Sequence, residues 1–325
     1  MFQQTVKNFN ISFSALNERN SFSGGDLITG QISFELTKQT RVDVITMALT
    51  GKASVAWSVS GGGGRRGRGR GRRGRRGRRQ RVANLEFFKL KSVIDQPSGG
   101  EASKLQTGTH VYQFTCQIPH GDFPSSFTGI SGKIAYTLTV GIVRPWHLSK
   151  DFVTELNFVG HIDTNHPELW APLSGSNKMT FCCLWCASGP IAMTASTEKK
   201  AFNPGETVRI ICDFSNSSSR TATPKLKLQQ KQSFYTHDRV SQRVVFKNLA
   251  SLAGEPLRAH SSDVHAEFTL PIPPTAELTI SNCSILQVDY MVEVALSVAA
   301  AHDLVVMIPI ILCDTPANIH RHAIS

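Results

Sequence analysis

Along most of the chain, apolar and polar residues alternate one by one. Val288, Tyr290, Val292, Val294, Leu296 and Val298 form the longest series, and Ile134, Tyr136, Leu138, Val140 and Ile142 form another. Val208, Ile210, Cys212 and Phe214 make a shorter run, and Leu304, Val306, Ile308, Ile310 and Leu312 a late one. A period of two turns one face of an extended strand into a core and the other toward water. No segment keeps a 3.6-residue period between helix caps. Gly, Pro, Asn and Ser clusters separate the runs, so the chain reads as all-β, with sandwiches favoured over a parallel sheet.

The pattern also repeats. Glu18, Arg19, Phe22, Gly25, Asp26, Ile28 and Phe34 match Glu198, Lys199, Phe202, Gly205, Glu206, Val208 and Phe214, each pair 180 residues apart. Phe114, Ile118, Pro119, Ile134, Tyr136, Leu138 and Val140 match Phe268, Ile272, Pro273, Val288, Tyr290, Val292 and Val294, each pair 154 apart. Two similar sandwiches therefore lie in tandem. The first holds 26 extra residues between Phe34 and Phe114, and the 21-residue Gly/Arg tract from Gly61 to Arg81 falls in that window. The tract reads as an insertion between a strand ending near Trp57 and one starting near Val82, which loop-closure entropy tolerates. The shared Phe-x-x-Gly-acid element reads as a turn opening an inward-facing strand, with Asp26 and Glu206 structural. The expected domains are 1–160, with a disordered insertion at 61–81, and 179–315. A linker at 161–178 joins them, and a short tail follows at 316–325.

Composition adds little except through charge. The 325 residues carry a formal net charge of +11, and removing the eleven arginines between Arg65 and Arg81 leaves zero. Met1 to Phe22 lacks an apolar run of signal-peptide type. The uncharged stretch Met179 to Thr197 contains Ser188, Gly189 and Pro190, and reads as a linker entering a strand rather than a membrane span. Seven cysteines without a repeating spacing fit reduced thiols of the cytosol. Three Asn-x-Ser sequons, at Asn10, Asn216 and Asn282, would then go unglycosylated.

Several strings resemble one family. Phe22-x-x-Gly25-Asp26, Phe123-Pro124-Ser125-Ser126-Phe127, Gly132-Lys133-Ile134-x-Tyr136-x-Leu138 and Arg144-Pro145-Trp146 resemble the α-arrestins. Pro204-Gly205-Glu206, Asn216-x-Ser218, Asn282-Cys283-Ser284-Ile285 and Ile308-Pro309-Ile310 do so in the second half. The resemblance runs from about Val6 to Pro316 and implies two tandem arrestin-like (immunoglobulin-like) β-sandwich domains. It also implies an adaptor, cytoplasmic and peripheral at the plasma membrane and endosomes. Such an adaptor binds the cytoplasmic tails of membrane receptors and transporters and supports their endocytosis, endosomal sorting and ubiquitination. The family recruits WW-domain ubiquitin ligases through Pro-Pro-x-Tyr motifs in a tail. None of Tyr112, Tyr136, Tyr235 and Tyr290 follows Pro-Pro-x, and the chain stops at Ser325. The expected partners therefore include ubiquitin ligases reached indirectly, or other arrestins. A thioredoxin-binding member uses a cysteine in its second sandwich, but the matching stretch Leu257 to Val264 has none.

Candidate chemistry is sparse. The Gly/Arg tract has no apolar side chain to build a core. Its Arg65, Arg66, Arg68, Arg70, Arg72, Arg73, Arg75, Arg76, Arg78 and Arg79 form an electrostatic contact loop. An anionic membrane surface, nucleic acid bound without sequence preference, and acidic or phosphorylated receptor tails are its candidate partners. A low-complexity expansion with no partner competes with all three. The alternative function is non-specific RNA or anionic-lipid binding through this loop, and the absence of aromatic residues for base stacking argues against its nucleic-acid form. Cys182, Cys183 and Cys186 offer acylation sites, or with His161 and His166 a formal zinc set. The favoured reading is a Cys- and Trp-rich strand edge packing near Trp170 and Trp185. No metal, no cofactor and no catalytic residue is expected, since no Gly-x-Ser-x-Gly, P-loop or His-Glu-x-x-His motif occurs, and His320 and His322 lie in a tail. In Phe123–Phe127 the serines are expected to bond locally and both Phe rings to anchor a turn. Arg144-Pro145-Trp146 reads as a strand exit with a packed Trp.

Overall fold

The computed structural model describes residues 5–14, 20–60, 78–96, 103–180, 182–183, 186–187, 189–298 and 301–314. Its chain divides into two compact units. The first runs to His161 and takes in Phe234–Ser241 and Asn282–Ile285. The second holds Ile162–Ser233, Gln242–Ser281 and the chain from Leu286 onward.

The first unit contains β1 (Val6–Phe13), β2 (Leu27–Leu36), β3 (Thr40–Val42), β4 (Val44–Ser60) and β5 (Arg78–Asp95). It continues with β6 (Ser103–Leu105), β7 (Gly108–Gln117), β8 (Phe127–Gly129), β9 (Gly132–Val143) and β10 (Lys150–Leu156). One sheet has the order β1-β2-β7 and the other β10-β9-β4-β5, with β8 beside β9 and a small β3-β6 pair apart. Alternate residues of β2 (Ile28, Ile32, Phe34, Leu36) and of β9 (Ile134, Tyr136, Leu138, Val140, Ile142) fill the core between them.

The second unit contains β11 (Leu173–Met179), β12 (Cys182–Cys183), β13 (Cys186–Ala187), β14 (Ile191–Thr197), β15 (Ala201–Phe202) and β16 (Thr207–Asn216). After these come β17 (Ala222–Tyr235), β18 (Gln242–Ala253), β19 (Ser261–Pro271), β20 (Leu286–Val298) and β21 (Leu304–Leu312). Its sheets run β11-β14-β16-β19 and β15-β21-β20-β17-β18. Apart from β11, β15 and the short accessory strands, the main strands repeat in the same order: β14-β16-β19 stands for β1-β2-β7, and β21-β20-β17-β18 for β10-β9-β4-β5.

The duplication reaches individual hydrogen bonds. Gly25 and Gly205 both take a left-handed backbone, with φ of 86° and 92°. The Gly25 N–H donates to Ile118 O at 3.1 Å and the Gly205 N–H to Ile272 O at 3.2 Å. The Ile118 N–H returns to Asp26 O, and the Ile272 N–H to Glu206 O. Asp26 itself accepts from the Ser23 N–H at 2.7 Å, and Glu206 from Asn203 Nδ2 at 3.0 Å. Both carboxylates close turns. Asn216, completely buried, donates to Arg220 O and Arg258 O and accepts from Ser218, so this sequon is an internal brace.

A buried tyrosine marks each core. Tyr136 donates to Pro124 O and Tyr290 to Glu277 O, both at 2.6 Å. Burial raises both phenol pKa values above the ordinary range. Buried Cys212, on β16, is pushed up to about 12 by the same desolvation, and its thiol stays protonated.

Two segments differ from the sequence expectation. Leu173–Met179, expected within the linker, is strand β11, paired along its whole length with β14. The short 3-10 turn Pro167–Leu169 before it buries Leu169 against Ala201 and Cys313. An open sheet edge offers backbone partners to any extended segment beside it, whatever its composition. In the tract expected to be disordered over 61–81, residues 78–81 belong to β5, and β4 continues to Ser60. The rungs Trp57–Arg81, Ser58–Gln80, Val59–Arg79 and Ser60–Arg78 extend the regular part of the ladder that starts at Lys52–Glu86, after the register shift at Gly51/Lys52. Each added rung satisfies backbone groups, so pairing propagates beyond the core into the arginines. Residues 61–77 lie outside the described residues, as does the tail expected at 316–325.

Two measurements probe this frame. Gly205→Ala, whose new methyl has room, should lose about 1–2 kcal/mol to the left-handed backbone alone. Gly25→Ala should lose more, because its methyl also meets the His120 ring; urea midpoints compare the two.

Tyr136→Phe should cost about 1–3 kcal/mol by orphaning the Pro124 carbonyl. Above pH ~10 the unfolded chain releases phenol protons that the folded chain keeps, so stability must fall as pH rises. Urea unfolding across that window should show a shallower fall for Tyr136→Phe and for Tyr290→Phe than for the unchanged protein.

Candidate interaction surfaces

Strand β5 is an eighteen-residue edge, paired only with β4 in its sheet. Its rungs with β4 set which residues share a face. Lys91 stands opposite Ala48, Lys89 opposite Thr50 and Val93 opposite Thr46, all on the outer face. Leu90 stands opposite Leu49 and Ser92 opposite Met47, facing the other sheet. Val82, Leu90 and Val93 are largely exposed.

Two hollows border this strand. One of about 550 Å³ lies over the outer face, floored by Thr46, Ala48, Thr50, Thr139 and Gly141 and walled by Lys89, Lys91, Val93 and Asp151. Ser149 Oγ donates to the Asp151 carboxylate at 2.6 Å. The other, of about 470 Å³, opens at the seam between the sheets, between Met47, Leu49 and Leu90 on one side and Thr115–His120 on the other. Cys116 lines it, and burial raises its thiol pKa, which lowers its nucleophilicity. Among the described residues, neither Lys89 nor Lys91 is ion-paired. In the second unit, by contrast, sheet-face cations meet carboxylates: Lys227–Glu293 at 3.0 Å, Lys231–Asp289 at 3.7 Å and Arg209–Glu267 at 2.6 Å. The two-pronged bond from Arg209 holds the Glu267 carboxyl below its ordinary range.

Of the ten arginines expected to form a contact loop, Arg65, Arg66, Arg68, Arg70, Arg72, Arg73, Arg75 and Arg76 lie outside the described residues. Arg78 and Arg79 open β5, and Arg79 is exposed. Cys182 and Cys183 form β12 and Cys186 starts β13, with Cys183 the backbone partner of Cys186. Trp185, expected beside them, lies outside the described residues. Trp170 is held by its indole N–H, which donates to Thr164 O at 2.9 Å, with Lys199 Nζ 5.6 Å above its ring. His166 lies 3.6 Å from the Asp163 carboxylate, within its own turn.

The Phe123–Phe127 segment is a brace of longer reach than expected. Ser125 Oγ accepts from the Gly160 N–H and Ser126 Oγ from the Phe158 N–H, both at 2.9 Å and both more than thirty residues away. The serines therefore stitch distant chain rather than bonding locally. Phe127 is buried, and Phe123 packs on Phe88 and Phe158.

Arg144-Pro145-Trp146 overturns its expectation. The His147 N–H closes on Arg144 O at 3.3 Å, making a four-residue turn between β9 and β10. Trp146 occupies its third position with φ of 60° and is fully exposed at 101 %, not packed. Leu148 is 93 % exposed. Polar turn residues leave a side chain at this place nothing to pack on. The sequence signal was available: Pro-Trp-His-Leu-Ser between two alternating runs is a turn, and a turn tip rarely buries its middle.

The arrangement on the page is two repeated antiparallel sandwiches with open edges and face hollows. Comparison with known proteins agrees with it. The arrestin (or S-antigen) N-terminal domain matches residues 9–165 and the arrestin (or S-antigen) C-terminal domain matches residues 187–317. Arrestin domain-containing protein 4 of Homo sapiens is 26% identical over 315 residues, covering 96% of this chain and 72% of that protein. Its Mus musculus counterpart is 28% identical over 313 residues, with the same coverage. Thioredoxin-interacting protein of Rattus norvegicus is 22% identical over 317 residues, covering 96% of this chain and 75% of that one. The chain therefore belongs to the arrestin family, in its arrestin domain-containing, or α-arrestin, branch.

Proposed function

We propose that this chain is a trafficking adaptor without catalytic activity. It binds the cytoplasmic tails of membrane receptors and transporters and supports their endocytosis, endosomal sorting and ubiquitination. It works in the cytoplasm and peripherally at the plasma membrane and endosomes. The observation that carries this reading is the β5 edge. Beyond Asn84, whose N–H already donates to His237 Nε2 at 3.3 Å, an extended tail segment finds backbone groups there to add as a further strand, and Lys89 and Lys91 beside the outer hollow attract its acidic residues. Family membership supports adaptor work in general. None of the tyrosines in the 325 residues follows Pro-Pro-x, so this stretch of chain reaches a ubiquitin ligase through another protein.

Strand addition separates this reading from binding through the arginine tract. Pull-down from membrane extracts should recover receptors or transporters well above an unrelated sandwich control. Lys89→Glu with Lys91→Glu should lower that recovery about tenfold, with unfolding midpoints unchanged because both side chains are exposed. Replacing residues 61–77 with a two-residue Asn-Gly turn, which lets the Ser60–Arg78 rung still close, should leave cargo recovery intact. Recovery lost with the tract and kept in the double lysine variant would place binding on the arginines instead.

A further inference from the structure

The β9–β10 turn presents two large apolar side chains that the first unit does not use. Trp146 and Leu148 are 101 % and 93 % exposed, with only His147 between them. The backbone adds to the anomaly. Pro145 holds the second position of the Arg144–His147 turn and Trp146 the third, at φ 60°. In a turn of that kind the third position favours glycine or asparagine, because a β-carbon is strained there. A tryptophan in this place gains nothing from local conformation and nothing from core burial. Strain together with apolar exposure at a turn tip points to a contact outside the chain.

The surroundings specify the contact. Lys150 lies just beyond the tip; its Nζ donates to Val6 O at 3.0 Å and sits 5.2 Å over the Phe152 ring, which holds the charge beside the turn. Arg144 starts the turn. The register places Val44 opposite Val143, so the chain leading into β4 ends at the same edge of the sheet, with exposed Arg41 and Lys38. Lys104 is the rung partner of Arg41. Against these five cations stand Asp43, Asp95 and Asp151. The outer hollow reaches Val143, Ser149 and Asp151 on either side of the turn, but neither Trp146 nor Leu148 lines it, so these two side chains take no part in that groove. A bilayer needs no groove: indole rings settle at the headgroup level, and flanking Lys and Arg side chains are drawn to anionic lipid.

We propose that the Trp146–Leu148 tip of the first unit inserts into the headgroup region of an anionic bilayer, with Arg144, Lys150, Arg41, Lys38 and Lys104 set around it. The contact is separate from the arginine tract, because the register puts the turn at the opposite end of β4 from Ser60. It goes beyond tail binding and does not depend on it: a tail-binding adaptor without this contact, or this contact without tail binding, would each give its own result.

The test uses the full chain with vesicles of phosphatidylcholine containing about a third phosphatidylserine, with and without brominated acyl chains. Bound protein should lose tryptophan emission to the brominated lipid, and Trp146→Phe should remove most of that quenching, since the reporter itself is gone. Trp146→Ser with Leu148→Ser should lower the vesicle-bound fraction about tenfold, at an unchanged melting temperature. Leu148→Ser alone should give a smaller loss in the same direction and guards against misfolding of the double variant. Quenching retained in Trp146→Phe, or vesicle binding lost only when residues 61–77 are replaced by a two-residue Asn-Gly turn, would overturn the proposal. So would a tip needed for recovering a protein cargo yet indifferent to vesicles, which would make it a protein contact.

Discussion

Tyr136 and Tyr290 sit at the middle of their sheets with no access to water. A phenol hydroxyl in such a place stays bonded, because an unmade buried hydrogen bond costs more than a made one returns. Each finds one backbone carbonyl, Pro124 O or Glu277 O, at 2.6 Å. In the first unit that bond draws the Phe123–Phe127 segment over the core. Ser125 and Ser126 then pick up Gly160 and Phe158, and the Phe158 ring stacks on Tyr136 at 4.2 Å. Phe158 in turn bridges Phe22, which leads into the Gly25 turn. In the second unit Gln230 joins the pair, donating to both the Tyr290 hydroxyl and the Glu277 carboxylate. One satisfied hydroxyl thus ties the central strand, a loop and the opening turn of the first unit, and in the second ties β20 to β17 and the Glu277 loop.

On this shared frame the β5 edge differs from the other sheet faces, and the first unit also pairs Lys133 with Glu155 across β9 and β10. The sheet faces of the second unit match cation with carboxylate across strands, as in Lys227–Glu293 and Arg209–Glu267. Such exposed pairs add little stability, but they leave the face electrically quiet. At β5 the lysines stand opposite Thr50 and Ala48 instead. Charge on an edge strand also discourages pairing with another copy of the same edge. The same lysines that keep the edge from self-association favour an acidic strand over a neutral or basic one.

Much of this was legible in the residues. The alternation of Ile134 to Ile142 and of Val288 to Val298 marked strands that are buried on that face. The pairs at offsets of 180 and 154 anticipated two units whose strands correspond, down to Gly25 and Gly205 at positive φ. Alternation reports which face of a strand is buried because it is a property of single residues. It does not report which edge a strand meets. Arg78–Arg81 looked like solvated tract, yet continues a ladder that begins far away at Ile45–Asp95. Leu173–Met179 looked like a connection, yet found the open edge of β14.

The amino-acid sequence by itself determined the strand content, the doubling and the positions of the turn glycines, since these rest on local geometry and burial. Only the tertiary structure decided which polar residues act at a distance and which apolar ones are left over. Ser125 and Ser126 bond across more than thirty residues because the chain folds back on them. Trp146 is left unburied by its own unit: Pro-Trp-His-Leu-Ser marks the turn in the sequence, but only the fold shows that neither sheet covers it.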